Sequence, residues 1–123
     1  YELISDDLDG IKNSLIRVCD QNISLVLTTG GTGLSKRDNT PEATKAVIEK
    51  EVQGISEAMR YHSLQITPRA MLSRGVSGIR QNSLIINLPG SPKAVRENLE
   101  YIIPSLRHGL EILRGEASNC ARK

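Results

Sequence analysis

Leu25-Val26-Leu27-Thr28-Thr29-Gly30-Gly31-Thr32-Gly33, continued at Arg37-Asp38-Asn39-Thr40-Pro41-Glu42-Ala43, reads as a buried strand, a glycine loop and a capped helix. A second run of the same kind, Leu84-Ile85-Ile86-Asn87-Leu88, opens into Pro89-Gly90-Ser91-Pro92-Lys93 ahead of another helical pattern. Ligands of open α/β sheets bind beyond the carboxyl ends of the strands, so the two loops can share one site.

The rest of the chain supplies the layers around these strands. Leu8, Ile11, Leu15, Val18 and Cys19 recur at helical spacing and predict an amphipathic first helix. Asp6 and Asp7 stand where they can cap it. Ile23 to Thr28 is expected as strand. Thr40 is expected as an N-cap, with Pro41 at the first helical position and Glu42 near the positive helix end, in a helix running to about Val52. Gly54 is expected to interrupt it, with a shorter helix through Ile55, Ala58, Met59 and His62 before Thr67-Pro68. Met71 to Ser73 and Val76 to Arg80 read as irregular extended structure, with a turn at Gln81-Asn82 that would give a hairpin. Val95 to Leu113 form a long helical stripe, which Pro104 is expected to kink or restart. No internal repeat or low-complexity tract is present.

With 123 residues, a single domain is expected at 1–115, followed by a polar tail at 116–123. Such a chain buries roughly 68% of the surface of its unfolded form, enough for a real core. Three tyrosines are the only aromatics, so leucine, isoleucine and valine must fill that core. Strands apolar on both faces suit a mostly parallel sheet covered by helices. Sixteen basic and fourteen acidic residues leave a net charge of +2, too balanced to argue for nucleic acid or membrane as partner. The shortage of aromatics also disfavours base stacking. No run approaches the roughly 18 apolar residues of a membrane span, and Tyr1 and the residues after it lack the basic and apolar regions expected of a secretory signal. Cys19 in an apolar stripe and Cys120 in the tail suggest neither a disulfide framework nor a metal site. A cytoplasmic setting is expected.

The chemistry rests first on glycine. Gly30, Gly31 and Gly33 permit positive φ and let backbone N–H groups approach a phosphate, while Thr28, Thr29 and Thr32 add hydroxyls. The spacing leaves a plain tight turn equally open, because the lysine of a P-loop and the G-x-G-x-x-G of a dinucleotide site are both missing. Pro89-Gly90 and Ser91-Pro92 alone read as turn and helix start. Asp38 can hold Mg²⁺, orient a substrate or accept local backbone bonds. Lys36 and Arg37 can neutralise phosphate or simply be solvated. His62 and His108 have no spaced partners, and no nucleophile triad can be argued.

Taken in order, TTGGTG (28–33), RDNTPEA (37–43), MLSRGVSGIR (71–80) and LIINLPGSPKAV (84–95) resemble the molybdopterin adenylyltransferase family, which includes MogA and MoaB proteins and the gephyrin G domain. The resemblance covers nearly the whole chain. It implies a three-layer α/β/α sandwich with a mostly parallel sheet and an antiparallel hairpin, assembled as a homotrimer. The implied activity is transfer of AMP from Mg-ATP to the terminal phosphate of molybdopterin, which prepares the dithiolene for a molybdenum-insertion enzyme. Asp6 and Asp38 are then the implied catalytic and Mg²⁺-binding residues, with Ser5 in place of the usual proline leaving Asp7 as a rival to Asp6. Thr29, Gly30, Gly31, Thr32, Gly33 and Arg37 are implied around phosphate. Ser73 and Arg74 are implied toward the pterin, and Asn87, Pro89, Gly90, Ser91, Pro92 and Lys93 around the nucleotide. The resemblance also implies that Tyr1 to Ile4 form a strand. Relatives carry a further βα unit ahead of it that these residues do not include, so this form alone is expected to have little activity. A non-catalytic pterin-binding scaffold and a competence-damage-type nucleotide pyrophosphatase are the alternatives.

Overall fold

The computed structural model describes residues 1–115; the polar tail expected at 116–123, with Cys120, lies outside the described residues. Among the described residues the chain runs through α1 (Leu8–Asp20), β1 (Leu25–Thr29), α2 (Thr40–Val47), β2 (Lys50–Glu51) and α3 (Gln53–Leu64). A 3₁₀ turn (Pro68–Leu72), β3 (Ser77–Arg80), β4 (Ser83–Leu88) and α4 (Pro92–Leu113) complete it.

β4 is buried at all six of its residues, and its alternation sorts the two helical layers. Ile85 faces one way and joins Val26, Ile11, Leu15, Cys19, Ala43 and Val47, which places α1 and α2 on that side. Leu84, Ile86 and Leu88 face the other way and pack on Met59, Ile102 and Leu106 of α3 and α4. The result is the expected three-layer sandwich, with Cys19 in the core.

The sheet itself corrects the expectation of mostly parallel pairing. Its order is β1-β4-β3-β2, and only β1 and β4 are parallel, in the register Leu25 to Leu84 through Thr29 to Leu88. β3 pairs antiparallel with both β4 and β2. The cause is local: only Gln81 and Asn82, with Gln81 at φ 53°, separate β3 from β4, and so short a link joins antiparallel strands alone. Burial of β4 on both faces comes from helices on both sides, which the mixed sheet supplies as well as a parallel one.

Several element boundaries also differ. α2 ends at Val47 rather than Val52 because Ile48 turns extended and the Glu49 amide donates to Ile79 O at 2.7 Å, drawing the chain onto the sheet edge. Gly54 lies inside the first turn of α3 instead of interrupting it. Asn39, not Thr40, is the N-cap residue of α2. Met71 and Leu72 belong to the 3₁₀ turn and are not extended. Tyr1 to Ile4 pair with no strand among the described residues; Glu2 instead forms an ion pair with Arg17 of α1. α4 runs unbroken for 22 residues through Pro104, which sits on the exposed face where the lost backbone bond leaves a carbonyl to water. No helix among the described residues is long and apolar enough to cross a membrane.

Because Pro104 contributes no buried packing and deletes a helix hydrogen bond, Pro104→Ala is expected to raise unfolding stability by about 1–3 kcal/mol. Urea unfolding measures this, and a lowered midpoint would show that the proline is needed where it stands.

Candidate functional site

The parallel pair β1–β4 directs both glycine loops to the same end of the sheet, as their sequence pattern requires. The Gly30 amide donates to Leu88 O at 3.0 Å, and a Cβ on Gly90 would lie 3.4 Å from the Gly30 Cα. The two loops therefore meet backbone to backbone, at ordinary van der Waals distance. Gly30 and Gly31 both take positive φ, at 84° and 70°. A side chain on Gly31 would also collide with the Thr40 hydroxyl, so glycine is required there on two counts.

Beyond Gly30 the backbone presents a run of free donors. The amides of Gly31, Thr32, Gly33 and Leu34 make no hydrogen bond within the described residues. Successive unpaired N–H groups in a tight loop form an anion-binding concavity. Thr32 is buried, while Thr29 stands exposed at the strand end.

Asp38 closes the loop on itself: its carboxylate accepts from the Ser35 amide at 3.0 Å and lies close over Gly33. Next to it, the Asn39 side chain donates to the Asp6 carbonyl at 3.1 Å, which brings the segment before α1 alongside this loop. Asp7 caps α1 by accepting from the Gly10 amide at 3.0 Å. The Asp6 carboxylate has no partner among the described residues, so of the two acidic neighbours it is the one left free. Arg37 and Lys36 are exposed.

Arg74 is engaged with the protein on each of its three side-chain nitrogens. Nε donates to Gly33 O at 2.7 Å, Nη2 to Asp38 O at 2.8 Å and Nη1 to the Glu42 carboxylate at 2.6 Å. The hydrogen bond from Arg74 holds the Glu42 carboxyl below the usual carboxylate range. Glu42 was not among the residues singled out from the sequence for this site. Its partner is 32 residues away, beyond the reach of any spacing rule.

Asn87 is placed in the framework. It is 2% exposed; its Nδ2 donates to the Thr28 and Thr44 hydroxyls, each at 3.0 Å, and its Oδ1 accepts from the Val76 amide at 3.0 Å. This carboxamide ties β1, α2 and the approach to β3 onto β4. The second loop does open on a cavity of about 490 Å³, whose walls include Ser73, Pro89, Ser91 and Lys93. Ser91 caps α4 through the Ala94 amide, so the positive end of that helix faces the same region. Arg69, Ser63 and Asn98 also line this cavity without having been signalled by any motif.

No three His, Cys, Asp or Glu side chains converge as a metal cage among the described residues. Asp6 and Asp38 on adjoining segments suit Mg²⁺, which is held by one or two carboxylates together with substrate phosphates and water. Neither histidine joins the site: His62 stacks on Tyr101 with ring centres 4.2 Å apart, and His108 is exposed on α4.

Comparison with known proteins places this architecture. The family described as "Probable molybdopterin binding domain" matches residues 1–108. A molybdopterin adenylyltransferase of Helicobacter pylori strain J99 is 50% identical over 116 residues, which is 94% of this chain and 66% of that protein. Gephyrin of Dictyostelium discoideum is 43% identical over 94% of this chain and 16% of its own length. The crystal structure of the molybdopterin biosynthesis enzyme MoaB of Thermus thermophilus superposes with a TM-score of 0.84 at 50% identity, covering 89% of this chain and 70% of that one. The chain thus spans somewhat less than two thirds of the length of the Helicobacter relative.

The Glu42–Arg74 pair has a pH signature. A carboxyl lowered by its partner contributes fully above its unfolded value and loses that contribution as pH falls through the folded one. An NMR titration of the Glu42 carboxyl is expected to show a midpoint below the ordinary glutamate range, returning to that range in Arg74→Met. An unchanged midpoint in the variant would show that Arg74 is not the cause.

Proposed function

The chain belongs to the molybdopterin-binding domain family of molybdenum cofactor biosynthesis, and on that premise we propose that it carries out adenylylation of molybdopterin with Mg-ATP. The observation that carries the reading is the run of free amides at Gly31–Leu34, set against Gly90 at the carboxyl end of the β1–β4 pair. Such a run binds oxyanions, and this reaction brings two phosphate-bearing substrates together.

The chemistry asks for positioning more than for a nucleophile. A terminal phosphate oxygen of molybdopterin, already anionic at neutral pH, forms a bond to the α-phosphorus of ATP. The bond from that phosphorus to the bridging oxygen breaks, and pyrophosphate leaves with the electron pair. No proton has to be removed first, which suits a site where no histidine or cysteine base stands among the described residues. The loop amides hold phosphate oxygens, and Lys93 with the amino end of α4 adds positive potential at the second loop. Asp6 and Asp38 would hold Mg²⁺, which would supply charge neutralisation at the phosphates. Thr29 and Thr32 add hydroxyls, with Arg37 at the loop's outer rim. Ser73 lies toward the pterin, and Pro89, Gly90, Ser91 and Pro92 shape the nucleotide side, with Asn87 fixing the end of β4 from which that loop leaves.

The same reading takes molybdopterin and ATP as substrates, a homotrimer as the assembly and a molybdenum-insertion enzyme as the recipient of the product. Full-length protein supplied with Mg-ATP and molybdopterin is expected to release pyrophosphate and form adenylylated pterin. Asp38→Asn is expected to lower kcat by about 100-fold or more, the scale of losing one charge-stabilising group. Pterin bound without ATP turnover would instead identify a scaffold, and hydrolysis of ADP-ribose would identify a pyrophosphatase.

A further inference from the structure

We propose that Arg74 is a positioning residue, which sets the shape of the loop at 31–39 from behind while Glu42 neutralises its charge; this rests on the phosphate-cradle reading above. Arg74 comes from the segment before β3 and meets the loop at both ends. Its amide donates to Thr32 O at 2.8 Å, its Nε to Gly33 O and its Nη2 to Asp38 O. Three carbonyls of the loop are thus turned toward one residue.

A trans peptide unit points its C=O and the following N–H in opposite directions. Drawing the carbonyls of Thr32, Gly33 and Asp38 toward Arg74 therefore turns the amides of Gly33, Leu34 and Asn39 away from it. Those three amides have no partner among the described residues. The same contacts anchor the backbone that carries the Asp38 side chain.

The charge arrangement fits bracing better than substrate binding. Two of the guanidinium's three hydrogen bonds go to neutral carbonyls, and the third is the ion pair with Glu42 at the start of α2. A cation already paired at 2.6 Å competes weakly for a bound phosphate. The fork geometry also matters: separate nitrogens reach Gly33, Asp38 and Glu42, and a lysine ammonium on its single nitrogen cannot span them.

Steady-state kinetics and amide hydrogen exchange on the full-length protein test this, using Arg74→Lys and Arg74→Met. Loss of alignment at the loop is expected to lower kcat about 100-fold in both variants, with any rise in KM for molybdopterin accompanying that fall. In the ligand-free protein, exchange at residues 31–39 is expected to quicken while α1 and β4 keep wild-type protection. The proposal is overturned if lysine restores kcat, if only the KM for molybdopterin rises, or if exchange quickens across the whole fold. The first two results would make Arg74 a direct charge contact, and the third a general support of stability. Should the wild-type protein form no adenylylated pterin, the functional reading falls, and loop exchange in the two variants still decides whether Arg74 is the brace.

Discussion

The central strand Ser83–Leu88 is buried at every residue, so its backbone groups and the carboxamide of Asn87 must find partners inside the protein. β1 satisfies one edge and β3 the other. Asn87 satisfies itself by binding Thr28, Thr44 and Val76, and in doing so fixes β1, α2 and the chain entering β3 around one point. A buried polar group left unpaired costs about 1–3 kcal/mol, so this arrangement is strongly specified. The site inherits its geometry from it. With β1 and β4 parallel and in register to Thr29 and Leu88, Gly30 and Gly90 have to meet.

From that meeting point the site is built outward by backbone rather than by side chains. The glycines admit positive φ, and the loop leaves the amides of Gly31 to Leu34 without partners among the described residues while the carbonyls of Thr32, Gly33 and Asp38 are bonded to Arg74. Arg74 collects the carbonyls, and Glu42 collects Arg74. Asn39 ties the Asp6 backbone to the same loop, leaving two carboxylates on neighbouring segments. An arrangement of this kind suits the joining of two phosphates, where holding anions in line matters more than covalent chemistry.

What the sequence made legible was local. Helical spacing located α1 and α4, and the glycine loops marked the ends of β1 and β4, because each signal lies within a few residues. The apolar character of β4 correctly implied helices on both faces. It did not reveal pairing direction, since burial is the same whether the neighbour is parallel or antiparallel. The direction is carried by the short Gln81-Asn82 link, whose hairpin outweighs the single parallel pair in so small a sheet. β2 was illegible because its two exposed residues become strand only through Ile79 and Gly78. For the same reason the bonds of Arg74 and Asn87 to distant parts of the chain, beyond the ligand roles that their motifs imply, could not be read from spacing.

Titrating Mg-ATP into isotopically labelled protein and following backbone amide shifts examines where phosphate is held. The largest shifts are expected at Gly31–Leu34 and at Gly90–Lys93, with the amides of α1 unmoved. Shifts confined to the apolar groove between α3 and α4, where Ile55, Tyr101 and Leu106 lie, would contradict a cradle at the ends of β1 and β4.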